Sequence, residues 1–121
     1  MKRILIFDDD ADILDILKYL LADNGWDVHT RSNCNDLLEA VEACEPDIIL
    51  KDNWIPDMGG IVATQTLKNN ERYRGIPVIY FSANNNIELL ADEAGADAWL
   101  AKPFDLNDLE IMLESYKQRS L

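Results

Sequence analysis

Four short apolar runs in this chain each lead into a residue able to hold a cation, attack an electrophile or neutralise an anion. Ile4-Leu5-Ile6-Phe7 runs into Asp8, Asp9 and Asp10, and Ile48-Ile49-Leu50 leads through Lys51 to Asp52. Val78-Ile79-Tyr80-Phe81 runs into Ser82, and Ala98-Trp99-Leu100-Ala101 into Lys102 and Pro103. Brought together, the carboxylates would repel. At about 4 Å and an effective dielectric near 20, each pair costs roughly 4 kcal/mol. One acid must then be protonated or a cation must sit among them. All-oxygen ligands suit a hard ion such as Mg²⁺. A dication with a lysine beside it neutralises charge on a phosphoryl group, and a carboxylate can itself be the nucleophile, giving an aspartyl phosphate. Each residue also has a plainer role. Asp8 to Asp10 can cap a helix and favour its N-terminus, Ser82 can sit in a turn, and Lys102-Pro103 can open a helix.

A parallel sheet gathers all four runs at one edge. Between them lie amphipathic stretches with helical spacing. The first carries Ile13, Leu14, Ile16, Leu17, Leu20 and Leu21 and stops at Asn24-Gly25. Trp26 to Thr30 reads as a second strand. A second helix, capped by Ser32 or Asn33, has Leu37, Leu38, Val41 and Cys44 on its apolar face and ends at Pro46. Ile48 to Leu50 is the third strand. A loop through Pro56 and Gly59-Gly60 leads to a third helix with Val62, Ala63, Thr66 and Leu67. Strand four spans Pro77 to Phe81. A weaker fourth helix covers about 87–93 and is closed by Gly95. Strand five is Ala98 to Ala101. Asp105 or Asn107 opens the last helix, with Leu109, Met112, Leu113 and Tyr116 inward. Five strands alternating with five helices imply an α/β, doubly wound parallel sheet covered on both faces. Such sheets bind ligands outside the carboxyl ends of their strands.

The composition agrees with one domain filling residues 1–121, at 48% hydrophobic and 28% charged. No apolar run approaches the roughly 18 residues of a membrane span, and the N-terminus meets aspartates too early for a signal peptide. A cytoplasmic protein is expected. Cys34 and Cys44 have neither redox-motif nor zinc spacing and read as unpaired thiols. A net charge of −12 would repel duplex DNA, so no direct nucleic-acid partner is expected.

The segments 4–10, 46–60, 76–83 and 95–104 together resemble the receiver domain of two-component response regulators, over essentially the whole chain. The resemblance implies a flavodoxin-like fold with strand order 2-1-3-4-5. It also implies a signalling domain, not an enzyme acting on a separate substrate. Asp52 would accept a phosphoryl group from a sensor histidine kinase or a histidine phosphotransfer protein. Asp8 and Asp9 would hold Mg²⁺, with Asp52 and the backbone carbonyl of Trp54 as further ligands. Ser82 and Trp99 match the switch positions and Lys102 the phosphate-binding lysine, whose bond to Pro103 is expected to be cis. Asp10 would serve the helix N-terminus. Output would pass to an unknown downstream protein through the face of the fourth helix, fifth strand and fifth helix.

There are departures from the family pattern. Lys51 stands where an apolar residue is more common, and its ammonium is expected to snorkel outward. Trp54 and Asn84 occupy positions that influence phosphate lifetime. A different class, the haloacid-dehalogenase phosphatase, would make Asp8 the nucleophile and Asp10 the general acid. A third would be a receiver-like scaffold without phosphorylation.

Overall fold

A strand with no polar alternation has to be covered on both faces, and Ile4, Leu5, Ile6 and Phe7 are all completely buried. The structure, a computed structural model, describes residues 2–32, 37–52, 60–82, 88, 95–101 and 106–119. In chain order these form β1 (Arg3–Phe7), α1 (Ala11–Asp23), β2 (Asp27–Arg31), α2 (Leu37–Cys44), β3 (Ile48–Asp52), α3 (Gly60–Lys68), β4 (Val78–Ser82), β5 (Ala98–Ala101) and α4 (Leu106–Arg119). The five strands make one parallel sheet in the order β2-β1-β3-β4-β5. Among the described residues there are four helices. The helix expected near 87–93 lies outside them apart from Glu88, which is helical.

Residue parity divides the core in two. Leu5, Phe7, Ile49, Val78 and Tyr80 pack with Leu37, Ala40, Val41 and Cys44 of α2 and Leu67 of α3. Ile4, Ile6, Ile48, Leu50, Ile79 and Phe81 pack with Leu14, Leu17 and Leu21 of α1 and with Leu109 and Leu113 of α4. The i, i+3, i+7 spacing of the α1 leucines defines a narrow stripe. Ile16, expected on that face, is 57% exposed. It precedes Leu17 by one residue, a rotation of about 100° off the stripe. On α3 the expected inward Thr66 is exposed and Thr64 is buried instead, its Oγ1 lying 2.7 Å from the Tyr80 hydroxyl. The Tyr116 side chain lies outside the description.

The amino edge of the sheet is held by acids that precede strands. Asp47, just before β3, accepts from the Arg3 N–H of β1 at 2.8 Å. Asp97, just before β5, accepts from the Val78 N–H of β4 at 2.8 Å. Each acid satisfies the first amide of the neighbouring strand, a donor that would otherwise lack a ladder partner. Lys68, at the end of α3, adds a cation to the second pin, with Nζ 2.6 Å from Asp97 and 2.8 Å from the Ile76 carbonyl. The Arg3 side chain donates instead to the Cys44 carbonyl at 2.9 Å and pairs with Asp27 of β2 at 3.3 Å.

The end of α1 sets where β2 begins. Trp26 N–H donates to the Leu21 carbonyl at 3.0 Å and Gly25 N–H to that of Ala22 at 3.1 Å, a Schellman motif. Gly25 has φ 92°, a conformation that costs an L side chain about 1 kcal/mol. Leu21 and Trp26 are both buried in the same cluster. They supply the apolar contact that accompanies this turn. Gly25→Ala is expected to lower the free energy of unfolding by about 1 kcal/mol, measured as a reduced urea midpoint at unchanged slope.

Candidate functional site

The carboxyl edge of the sheet is where the chemistry-bearing residues arrive. In the β1–β3 ladder the last pair is Phe7 with Lys51, so Asp8 and Asp52 each follow it by one residue. The β3–β4 ladder ends at Asp52 with Phe81, and the β4–β5 ladder at Ser82 with Ala101. The backbones of residues 8, 52, 82 and 101 therefore finish side by side. Asp52 and Ser82 are the last residues of their strands, where the sequence reading set each just beyond its strand. Their side chains lie outside the described residues, as do Trp54, Asn84, Lys102 and Pro103, the Lys102-Pro103 bond included.

The three aspartates after β1 have separate positions. Asp8 is completely buried. Its N–H donates to the Arg31 carbonyl at 3.2 Å, prolonging the match to β2. Its Oδ1 accepts from the Asp10 N–H at 2.9 Å, which fixes the carboxylate orientation. Asp9 is exposed. Asp10 is the N-cap of α1, with φ −94° and ψ 107°. Its Oδ1 accepts from the Asp12 N–H at 2.9 Å and from the Ile13 N–H at 3.4 Å. That is the helix-terminus role expected for it. It also commits the carboxylate that a haloacid-dehalogenase mechanism would need as general acid.

Among the described residues, no group of three or more His, Cys, Asp or Glu side chains could hold a metal ion. The expected set draws on Asp52. The donor chemistry nevertheless fits a hard dication. A buried carboxylate held by a backbone amide stands at the strand edge, an exposed one follows it, and Asp52 ends the adjacent strand. All the donors are oxygens.

Lys51 departs from its sequence expectation. It is 1% exposed and does not reach solvent. Its Nζ lies 5.7 Å from the centre of the Tyr80 ring, within cation–π range. β3 is a central strand covered by α3, so the four-carbon stem cannot carry the ammonium out. A lysine flanked by Leu50 and a strand-end acid is the one sequence signal for this. Trp99 is 39% exposed on the edge strand β5. Cys44 is buried, and burial pushes its thiol up from the ordinary range, which makes it an inert core group. Cys34 lies outside the description.

Residues 4–114 match the family model of the response regulator receiver domain. The chain belongs to this family. The receiver domain is 30% identical over 121 residues to the alkaline phosphatase synthesis transcriptional regulatory protein PhoP of Bacillus subtilis, covering 98% of this chain and 50% of that protein. The chain thus spans about half the length of such curated relatives. Its structure superposes on a Francisella response-regulator receiver domain with TM-score 0.88 and 26% identity, covering 100% of both chains. It also superposes on the receiver domain of a Pseudomonas aeruginosa sensor histidine kinase, which has a magnesium ion coordinated in its active-site cleft. That match has TM-score 0.86 and 26% identity and covers 95% of this chain and 96% of the other.

The cap assignment is directly testable. Asp10→Ala is expected to destabilise the domain by about 1 kcal/mol, the usual effect of losing an N-cap. Chemical denaturation followed by far-ultraviolet circular dichroism measures it.

Proposed function

We propose that this receiver domain accepts a phosphoryl group on Asp52 from a phosphohistidine of a sensor histidine kinase or a histidine phosphotransfer protein, and signals by changing shape. The observation that carries the reading is the strand register. Asp52 ends β3 beside the buried, amide-oriented Asp8, and Ser82 ends the next strand.

A carboxylate oxygen of Asp52 attacks phosphorus as the phosphorus–nitrogen bond of the donor breaks, and the leaving imidazole takes up a proton. Asp8, Asp9, Asp52 and the Trp54 carbonyl are the residues that would hold Mg²⁺. When bound, that ion supplies neutralisation of charge on the phosphoryl oxygens. Lys102 contributes a second positive charge to those oxygens. The Ser82 hydroxyl donates to one of them, and this draws the end of β4 inward. Trp99, half-exposed on the neighbouring strand, repacks in response. The outcome is a shift between two populations biased by charge at one sheet edge.

The changed surface includes β5 and α4, together with the fourth helix expected from the sequence near 87–93. Ile111 there is 62% exposed. A groove of about 400 Å³ lies between Ala98 and Leu100 on β5 and Ile111 and Met112 on α4. A downstream protein is the proposed occupant, and the net charge of −12 argues against direct DNA contact by this domain. None of the described helices is long and apolar enough to cross a membrane, and the proposed setting is the cytoplasm.

Incubation with Mg²⁺ and acetyl phosphate is expected to give one acid-stable, base-labile adduct by intact-mass spectrometry, 80 Da heavier by the mass of one PO₃H unit, roughly. Asp52→Asn is expected to abolish it. An equal yield in that variant refutes the assignment.

A further inference from the structure

We propose that Lys51 is a built-in counter-charge for the acidic edge, a positioning residue that sets how tightly the site takes Mg²⁺. The inference rests on the reading of Asp8, Asp9 and Asp52 as the cation site.

The Lys51 ammonium is held inside the protein, 1% exposed, over the Tyr80 ring at 5.7 Å. Tyr80 is itself completely buried and fixed through its hydroxyl to Thr64 of α3 at 2.7 Å. Lys51 lies in the last shared row of the sheet, between Phe7 and Tyr80. Asp52 is the next residue on its own strand and Asp8 the next beyond Phe7. Strand geometry keeps both Cα atoms within about 6 Å of that of Lys51, while successive side chains face opposite sides of the sheet, so the ammonium acts on these acids at range and not in contact. A charge confined here acts on the acids through protein, where screening is weak.

Two opposite effects follow. With the cation absent, Lys51 offsets part of the mutual repulsion of Asp8, Asp9 and Asp52, so the edge can assemble. When a dication enters, the same fixed charge opposes it. Removing the charge while keeping the stem should therefore tighten Mg²⁺ binding. A lysine that served packing alone would give the reverse, because loosening the strand end slackens the site.

The test is a Mg²⁺ titration of the full chain, followed by tryptophan fluorescence and by the rise in Tm. Lys51→Met and Lys51→Gln are expected to bind Mg²⁺ about fivefold to tenfold more tightly. Lys51→Arg, which keeps the charge, is expected to stay within about twofold. Gln covers the case in which Met folds poorly. Folded neutral variants with unchanged or weaker Mg²⁺ affinity overturn the proposal. So does failure of both to fold while Lys51→Arg folds, since Lys51 is then a structural ion. A Mg²⁺ response that Asp52→Asn removes leaves the site reading standing in either case. No response in the unsubstituted protein overturns that reading and the counter-charge with it.

Discussion

Parallel pairing is the constraint on which the rest of this structure depends. Because β1, β3, β4 and β5 all point the same way and are in register, every strand delivers its last residue to one edge and its first to the other. The two edges then face opposite problems. At the amino edge the first amides of β1 and β4 need acceptors, and Asp47 and Asp97 supply them. At the carboxyl edge the chain must turn into the next segment, and polar side chains can accumulate without interrupting a ladder. Two acids of the amino edge are paired with cations, Asp97 with Lys68 at 2.6 Å and Asp27 with Arg3 at 3.3 Å. The acids proposed to hold a cation stand at the opposite, carboxyl edge.

The run Asp8-Asp9-Asp10 shows how one short stretch divides its labour. A strand that enters a helix within three residues must satisfy the helix's first amides, and Asp10 does so. Turning the chain at that point leaves the Asp10 N–H facing back toward Asp8, which accepts it. The cap and the buried carboxylate are therefore one arrangement. Removing the cap would loosen the amide that orients Asp8. Three identical side chains thus end up buried, exposed and capping. Their burial follows from position in the turn, with no difference in chemistry.

Much of this was legible in the sequence, because the strands here are apolar throughout and the helices carry clear stripes. The five strands, their order through the family resemblance, and the convergence of Asp8, Asp52 and Ser82 at the strand ends all follow from that pattern. The parts that were not legible are those where one residue of rotation or one layer of cover decides. Ile16 is apolar and next to Leu17, yet it lies outside the stripe that Leu14, Leu17 and Leu21 define. Thr64 and Thr66 are both small and polar, and the helical spacing beside Val62, Ala63 and Leu67 points to Thr66, yet Thr64 is the one buried. The Asp47 and Asp97 pins have a sequence signal, an acid just before a strand, but their partners come from strands 44 and 19 residues away in sequence.

Lys51 was misread for a related reason. Snorkelling is the ordinary fate of a lysine whose stem lies on apolar surface, but it requires a path to water. A central strand with helices packed on both faces offers none, so the ammonium stays inside against Tyr80. Burial of a cation is unfavourable unless its surroundings compensate it. Here the face of the Tyr80 ring supplies part of that compensation. The acids proposed for the cation site lie at the same edge of the sheet and, on that proposal, supply the rest. On the counter-charge proposal the two features depend on each other: the acids lower the electrostatic cost of the lysine, and the lysine lowers that of the acids.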